Sequence, residues 1–132
     1  MTGWPHGAPR VGQRARISRE IRERDIALFT DITGDRNPLH SDPTFAAAGG
    51  FDRPILHGLC TYGFTGRALL HALCDADPSR FTSMYGRFSH PVWPGQTLTT
   101  SIWHDDVTGG ASFRTTTDDG TVVIDRGRCR FT

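Results

Sequence analysis

The sequence contains no lysine: all 15 of its basic residues are arginine. Its cations are therefore guanidiniums, which stay charged and pair with carboxylates and phosphates through a planar fork. Cysteine is scarce as well. Cys60, Cys74 and Cys129 are an odd number with no C-x-x-C pair, so neither a disulfide framework nor a zinc site is expected, and a cytoplasmic, reducing location fits that usage. Long apolar runs are missing: stretches such as Ala68-Leu69-Leu70 are far too short to span a bilayer, and the Gly/Pro-rich segment 1–10 lacks the apolar centre of an export signal. No membrane contact is expected. Nor is either sign of charge in excess. Against 14 acidic residues the arginines leave a formal net charge of +1, which excludes an acidic tail, a strongly basic nucleic-acid binder and a disordered polyelectrolyte.

The chain has 132 residues, 36% apolar and 22% charged, enough for one domain to bury a core without staples. A single domain over 1–132 is expected, with 1–10 a loose tail and no internal repeat. Val11 to Ser18 reads as a weak strand. Asp25 is placed to cap a short helix whose apolar residues Ile26, Phe29 and Ile32 recur every third position before Gly34 stops it. Asn37-Pro38 favours extended backbone, and Asp42-Pro43 reads as an N-cap and first helical residue for a short helix closed by Gly49-Gly50. Leu59 to Leu73 is the longest helical pattern, with Leu59, Tyr62, Gly66, Leu69, Leu70 and Leu73 near one face. Gly63 and Gly66 in its interior imply close approach of another backbone. After Pro78 the segments Thr82–His90, Gln96–Asp105, Ala111–Thr117 and Thr121–Phe131 are β-branched or aromatic and separated by turn signals. Helices first and a strand meander afterwards predict an α+β fold, a long helix against an antiparallel sheet.

Asp35, Asn37 and His40 fall within one short Gly/Pro-punctuated loop, where a carboxylate, an amide and an imidazole can converge. That set can position a water and move protons near neutral pH. His57 reads as a packing or loop-orienting residue. His6, His71, His90 and His104 have no partner spacing for a metal, and none is expected. Arg36, Arg53, Arg67 and Arg87 read as solvated surface residues.

The string Thr33-Gly34-Asp35-Arg36-Asn37-Pro38-Leu39-His40-Ser41-Asp42-Pro43 resembles the hydratase 2 motif of the MaoC-like (R)-specific enoyl-CoA hydratases. The likeness continues through residues 50–64 and 91–98, is similar there to the hydratase 2 region of peroxisomal multifunctional enzyme type 2, and covers nearly the whole chain after Val11. It implies a single hot dog fold, in which an antiparallel sheet wraps a long central helix. It also implies that Asp35 and His40 are the catalytic pair, that Asn37 helps hold the nucleophilic water, and that Gly58 gives its N–H to the thioester carbonyl oxygen. The reaction implied is reversible hydration of a trans-2-enoyl thioester to an (R)-3-hydroxyacyl thioester, without a cofactor, the acyl group being carried by coenzyme A or a carrier protein. One sheet on one helix leaves an edge and an apolar face, so a homodimer is expected.

Two features depart from the pattern. The peroxisomal members carry two hot dog repeats and this chain one, and Ser41 is polar where an aliphatic residue is frequent, which bears on the acyl pocket. Thioester hydrolysis and a non-catalytic subunit of a hetero-oligomeric hydratase remain open, as does the division of acid and base between Asp35 and His40.

Overall fold

The computed structural model of the chain describes residues 14–106 and 109–132. β1 (Arg14–Glu20) leads into α1 (Glu23–Thr33), and a 3-10 turn (Pro38–His40), α2 (Pro43–Ala48) and α3 (Gly58–Cys74) follow. A second 3-10 turn (Pro78–Arg80) opens the succession β2 (Phe81–Phe88), β3 (Thr97–Asp106), β4 (Gly110–Thr116) and β5 (Val122–Phe131). The strands form one antiparallel sheet in the order β1-β3-β4-β5-β2, and α3 packs on it against β1, β2, β3 and β5. This is the α+β, helix-on-sheet arrangement that the element order predicts. The tail at 1–10 and the first residues of the Val11 strand lie outside the described residues. β1 continues to Glu20 rather than stopping at Ser18, because Arg19 and Glu20 still pair with Leu98 and Thr97.

The core has two parts. Leu69, Leu73, Ile102, Phe113, Ile124 and Phe131 anchor one beneath the C-terminal half of α3. Ile21, Leu56, Cys60, Val92, Leu98 and Val123 make the other at its N-terminal end, with Ile26, Phe29 and Phe64 packed against it. The second cluster adjoins the candidate site.

The buried stripe of α3 differs from the apolar pattern in the sequence. Leu59 is 67% exposed, whereas Cys60, Thr61, Thr65, Ala68 and Leu69 face the sheet. Thr65 enters the interior because its hydroxyl hydrogen-bonds that of Thr115 at 2.7 Å, which meets Thr100 at 3.3 Å, so buried hydroxyls satisfy one another. The expected backbone approach at the helix glycines is also corrected. A Cβ on Gly66 would meet the Met84 sulfur at 3.4 Å, and one on Gly63 would meet nothing within 4 Å.

α1 is likewise shifted from its predicted start. Its N-cap is Arg22, and Asp25 is the N3 residue, whose carboxylate accepts the Arg22 backbone N–H at 2.8 Å. Ile26 and Phe29 face the core but Ile32 is 81% exposed. A step of three falls short of a 3.6-residue turn, so over two steps the face drifts away. Asp25 is buried and receives both guanidinium ends of Arg19, at 3.1 and 3.2 Å, while Arg19 lies over the Phe64 ring. Burial alone would raise the Asp25 pKa, but the hydrogen bonds from Arg19 and the Arg22 amide hold it below the ordinary 3.8.

Stability should follow. A carboxyl whose folded pKa is depressed stabilises the fold above its unfolded pKa and loses that contribution as pH falls through the folded value. Asp25→Ala is expected to lower unfolding free energy by about 2 to 4 kcal/mol at neutral pH. Denaturant midpoints measured down to about pH 3 should show an acid-side loss that is smaller in Asp25→Asn; equal slopes in the two proteins would refute the assignment.

Candidate active site

Gly34 ends α1 in the left-handed region at φ 76°, its N–H donating to Thr30 O at 2.8 Å. A Cβ there would meet nothing within 4 Å, so glycine is required by the backbone angle and not by space. The turn releases Asp35 from the helix. Its N–H donates to Thr33 Oγ1, its Oδ1 accepts the Asn37 N–H at 3.3 Å, and Asn37 Oδ1 accepts the Leu39 N–H at 3.0 Å. Two successive side-chain-to-backbone turns therefore shape the loop, as short Asp and Asn side chains do. The Asn37 carboxamide oxygen is engaged as the N-cap of the 3-10 turn, leaving its NH2 to donate.

The end of this loop is clamped to residue 55. Ile55 N–H donates to Leu39 O at 3.3 Å, and His40 Nδ1 lies 2.9 Å from Ile55 O. A carbonyl only accepts, so Nδ1 carries the hydrogen and the lone pair of neutral His40 is on Nε2. The unprotonated nitrogen of a neutral His40 is thereby assigned to a particular atom.

His57, the N-cap residue of α3, is 1% exposed and stacks on His40 with ring centroids 3.8 Å apart and planes 24° apart. Its Nε2 lies 3.1 Å from the Asp35 carbonyl oxygen and 3.3 Å from Thr30 Oγ1. Burial pushes its pKa below the ordinary imidazole value and His40 adds to that, while the hydrogen bond to Asp35 opposes them. One potential ligand atom from each of Asp35, His40 and His57 falls within 4.8 Å of the others, a grouping that sequence spacing did not predict. The near-parallel stack keeps the two rings face to face instead of converging edge-on upon one ion, so the cluster fits proton transfer better than chelation.

Gly58 follows as the first residue of α3. Its amide is one of the four that helix geometry leaves without an intrahelical acceptor, at the positive end of the helix dipole. A Cβ on Gly58 would touch the Phe88 ring at 3.5 Å. Gly58 opens on a cleft of about 310 Å³ lined mainly by apolar residues, Phe51, Ile55, Leu56, Phe88, Pro91 and Val92 among them. His40 lines a second cleft, of about 500 Å³, together with Thr30, Ser41 and Arg53. Segment 53–58 lies between the two clefts.

Of the residues singled out in the sequence, Asp35, Asn37 and His40 share one loop, and Gly58 joins them through its neighbour His57. Arg53 reaches the His40 cleft, whereas Arg87 forms a two-point ion pair with Asp125 at 2.7 and 2.8 Å. Thr30, the Ile55 carbonyl and Phe88 carried no spacing signal, since they act across the fold.

A sheet packed on a long helix, with a carboxylate, an imidazole and a helix N-terminal amide at one end, defines a hot dog protein with a candidate acid/base site. The chain belongs to the MaoC-like domain family, which matches residues 6–125. It is 51% identical over 98 residues to enoyl-CoA hydratase ChsH3 of Mycobacterium tuberculosis, covering 74% of this chain and 34% of that one. To 3-hydroxyacyl-thioester dehydratase Y of the same organism it is 50% identical over 123 residues, 89% of this chain and 42% of the relative. The solved R-hydratase PhaJ1 from Pseudomonas aeruginosa superposes with a TM-score of 0.79 at 29% identity, over 92% of this chain and 79% of that one. The chain thus spans less than half the length of the two mycobacterial relatives.

Proposed function

We propose that this chain hydrates trans-2-enoyl thioesters to (R)-3-hydroxyacyl thioesters, or runs the reverse dehydration, with no cofactor and as a cytoplasmic homodimer. The observation that carries the reading is the convergence of Asp35 and His40, beside His57, at the N-terminus of α3. Names of the relatives support the substrate class, and the absence, among the described residues, of a helix long and apolar enough to cross a membrane is compatible with the location. The acyl group is coenzyme A- or carrier-bound.

In this mechanism a water sits between the free Asp35 carboxylate oxygen and His40 Nε2, with the Asn37 NH2 as a third contact. The pair takes a proton from the water as its oxygen bonds to Cβ, and returns one to Cα. Between those steps negative charge resides on the thioester oxygen, where the Gly58 N–H receives it. The role of base belongs to the Asp35–His40 pair as a unit. The apolar cleft beside Gly58 receives the acyl chain.

The test follows two signals at once. With crotonyl-CoA, hydration removes the conjugated thioester absorbance without releasing thiol, and light scattering of the same sample should give twice the chain mass. Thiol appearing at the rate of absorbance loss would establish hydrolysis instead. No reaction across coenzyme A and carrier-protein substrates would favour a non-catalytic subunit.

A further inference from the structure

We propose that His57 is the positioning residue of this site: a neutral imidazole, fixed as the Nε2–H tautomer, that holds the Asp35 backbone and supports the His40 ring from beneath. The inference deepens the hydratase reading and uses it only for its kinetic test.

Three elements meet on this side chain. From the loop after α1, the Asp35 carbonyl lies 3.1 Å from Nε2, and because it only accepts, Nε2 must carry the hydrogen. Thr30 Oγ1, at 3.3 Å, shares that hydrogen. From the 3-10 turn, His40 stacks on one ring face; from α1, Phe29 packs with its centroid 4.7 Å away. The His57 backbone carbonyl, for its part, accepts the N–H groups of Cys60 and Thr61 in the first turn of α3. One residue therefore ties together the carboxylate loop, the imidazole and the helix end that offers the Gly58 amide.

Its other nitrogen explains why it does not join the chemistry. Nδ1 is buried with no hydrogen-bond partner among the described residues. Protonating it would bury an unpaired N–H and a charge, and set a cation against the face of the His40 ring. The titratable groups facing His57 are Asp35 from the loop and His40 from the 3-10 turn. His40 is left as the imidazole of the acid/base pair, and its Nε2 is held in place by a neighbour that takes no part in proton transfer.

Two measurements test this. In 15N spectra of the wild-type chain, His57 should keep a protonated Nε2 and a bare Nδ1 throughout the range in which imidazoles titrate, about pH 5 to 8. His57→Phe keeps a ring to stack on but loses the N–H; kcat for crotonyl-CoA should fall about 10- to 100-fold, with KM changed much less. His57→Gln, whose amide nitrogen can reach the Asp35 carbonyl as Nε2 does, should recover part of that loss. A protonated Nδ1, a titrating His57, wild-type kcat in folded His57→Phe, or equal losses in the two variants would overturn the proposal. If the wild-type chain hydrates nothing, the functional reading fails, and the nitrogen pattern alone then decides whether His57 is fixed as stated.

Discussion

Asp35→Asn and His40→Asn are each expected to lower crotonyl-CoA hydration by about 100-fold or more. Both substitutions are chosen from the hydrogen bonds that the wild-type side chains make. Asn at 35 retains an oxygen for the Asn37 N–H, which Asp35 Oδ1 accepts at 3.3 Å, so the loop keeps its turn while the carboxylate is lost. Asn at 40 places an NH2 where Nδ1–H donates to the Ile55 carbonyl at 2.9 Å, and removes the Nε2 edge together with the ring face that stacks on His57. The double variant should lose little beyond either single one, because groups that act as a unit are grossly non-additive. Thermal unfolding should shift far less than turnover, since Asp35 is exposed and His40 only half-buried. Wild-type turnover in both single variants would remove the pair from the mechanism while leaving the fold untouched.

The second large effect is expected at Gly58. Replacing it with Pro deletes the N–H proposed to meet the thioester oxygen, and kcat should fall by about 100-fold or more, the loss usual for one such donor. The local backbone suits this substitution. Gly58 is the first residue of α3, where proline's fixed φ is compatible and its missing N–H breaks no helical hydrogen bond. The preceding residue must be extended, and His57 already lies at φ −57°, ψ 131°. The added ring would press on Phe88, which is 52% exposed and has room to shift. Gly58→Ala keeps the N–H and should lose about tenfold at most, so the Ala and Pro variants together separate crowding from donor loss. A folded Pro variant that turns over like wild type would show that the carbonyl is polarised elsewhere.

Local rules made much of the site legible in advance. Gly34 as a helix stop, Asp42 as an N-cap and Pro43 as the first residue of a short helix all depend on bonds between residues two to four apart, whereas the Asn37 cap and the 3-10 turn at Pro38 obey the same rule at a place the sequence marks only as extended backbone. Those bonds are properties of the segment itself. The α+β order of elements was legible for the same reason, since periodicity and turn residues are local signals. The buried face of α3 was not. An apolar-only pattern passes over Thr61 and Thr65, both buried and the second with a hydroxyl partner on β4, and it assigns inward a leucine that points out.

What the sequence by itself determined is therefore the loop: the carboxylate, amide and imidazole in the order that brings them round one turn, and the glycine that begins the long helix. Tertiary structure alone decided the rest of the chemistry. The tautomer of His40 is set by a carbonyl 15 residues away, and His57 meets Asp35 and Thr30 across separations of 22 and 27 residues. Such contacts exist only because the second core cluster draws α1, the 53–58 segment and the start of α3 against one another. No local propensity specifies that docking. It follows from burying the apolar faces of separate elements together, and only then do the nitrogens of two histidines acquire distinct roles.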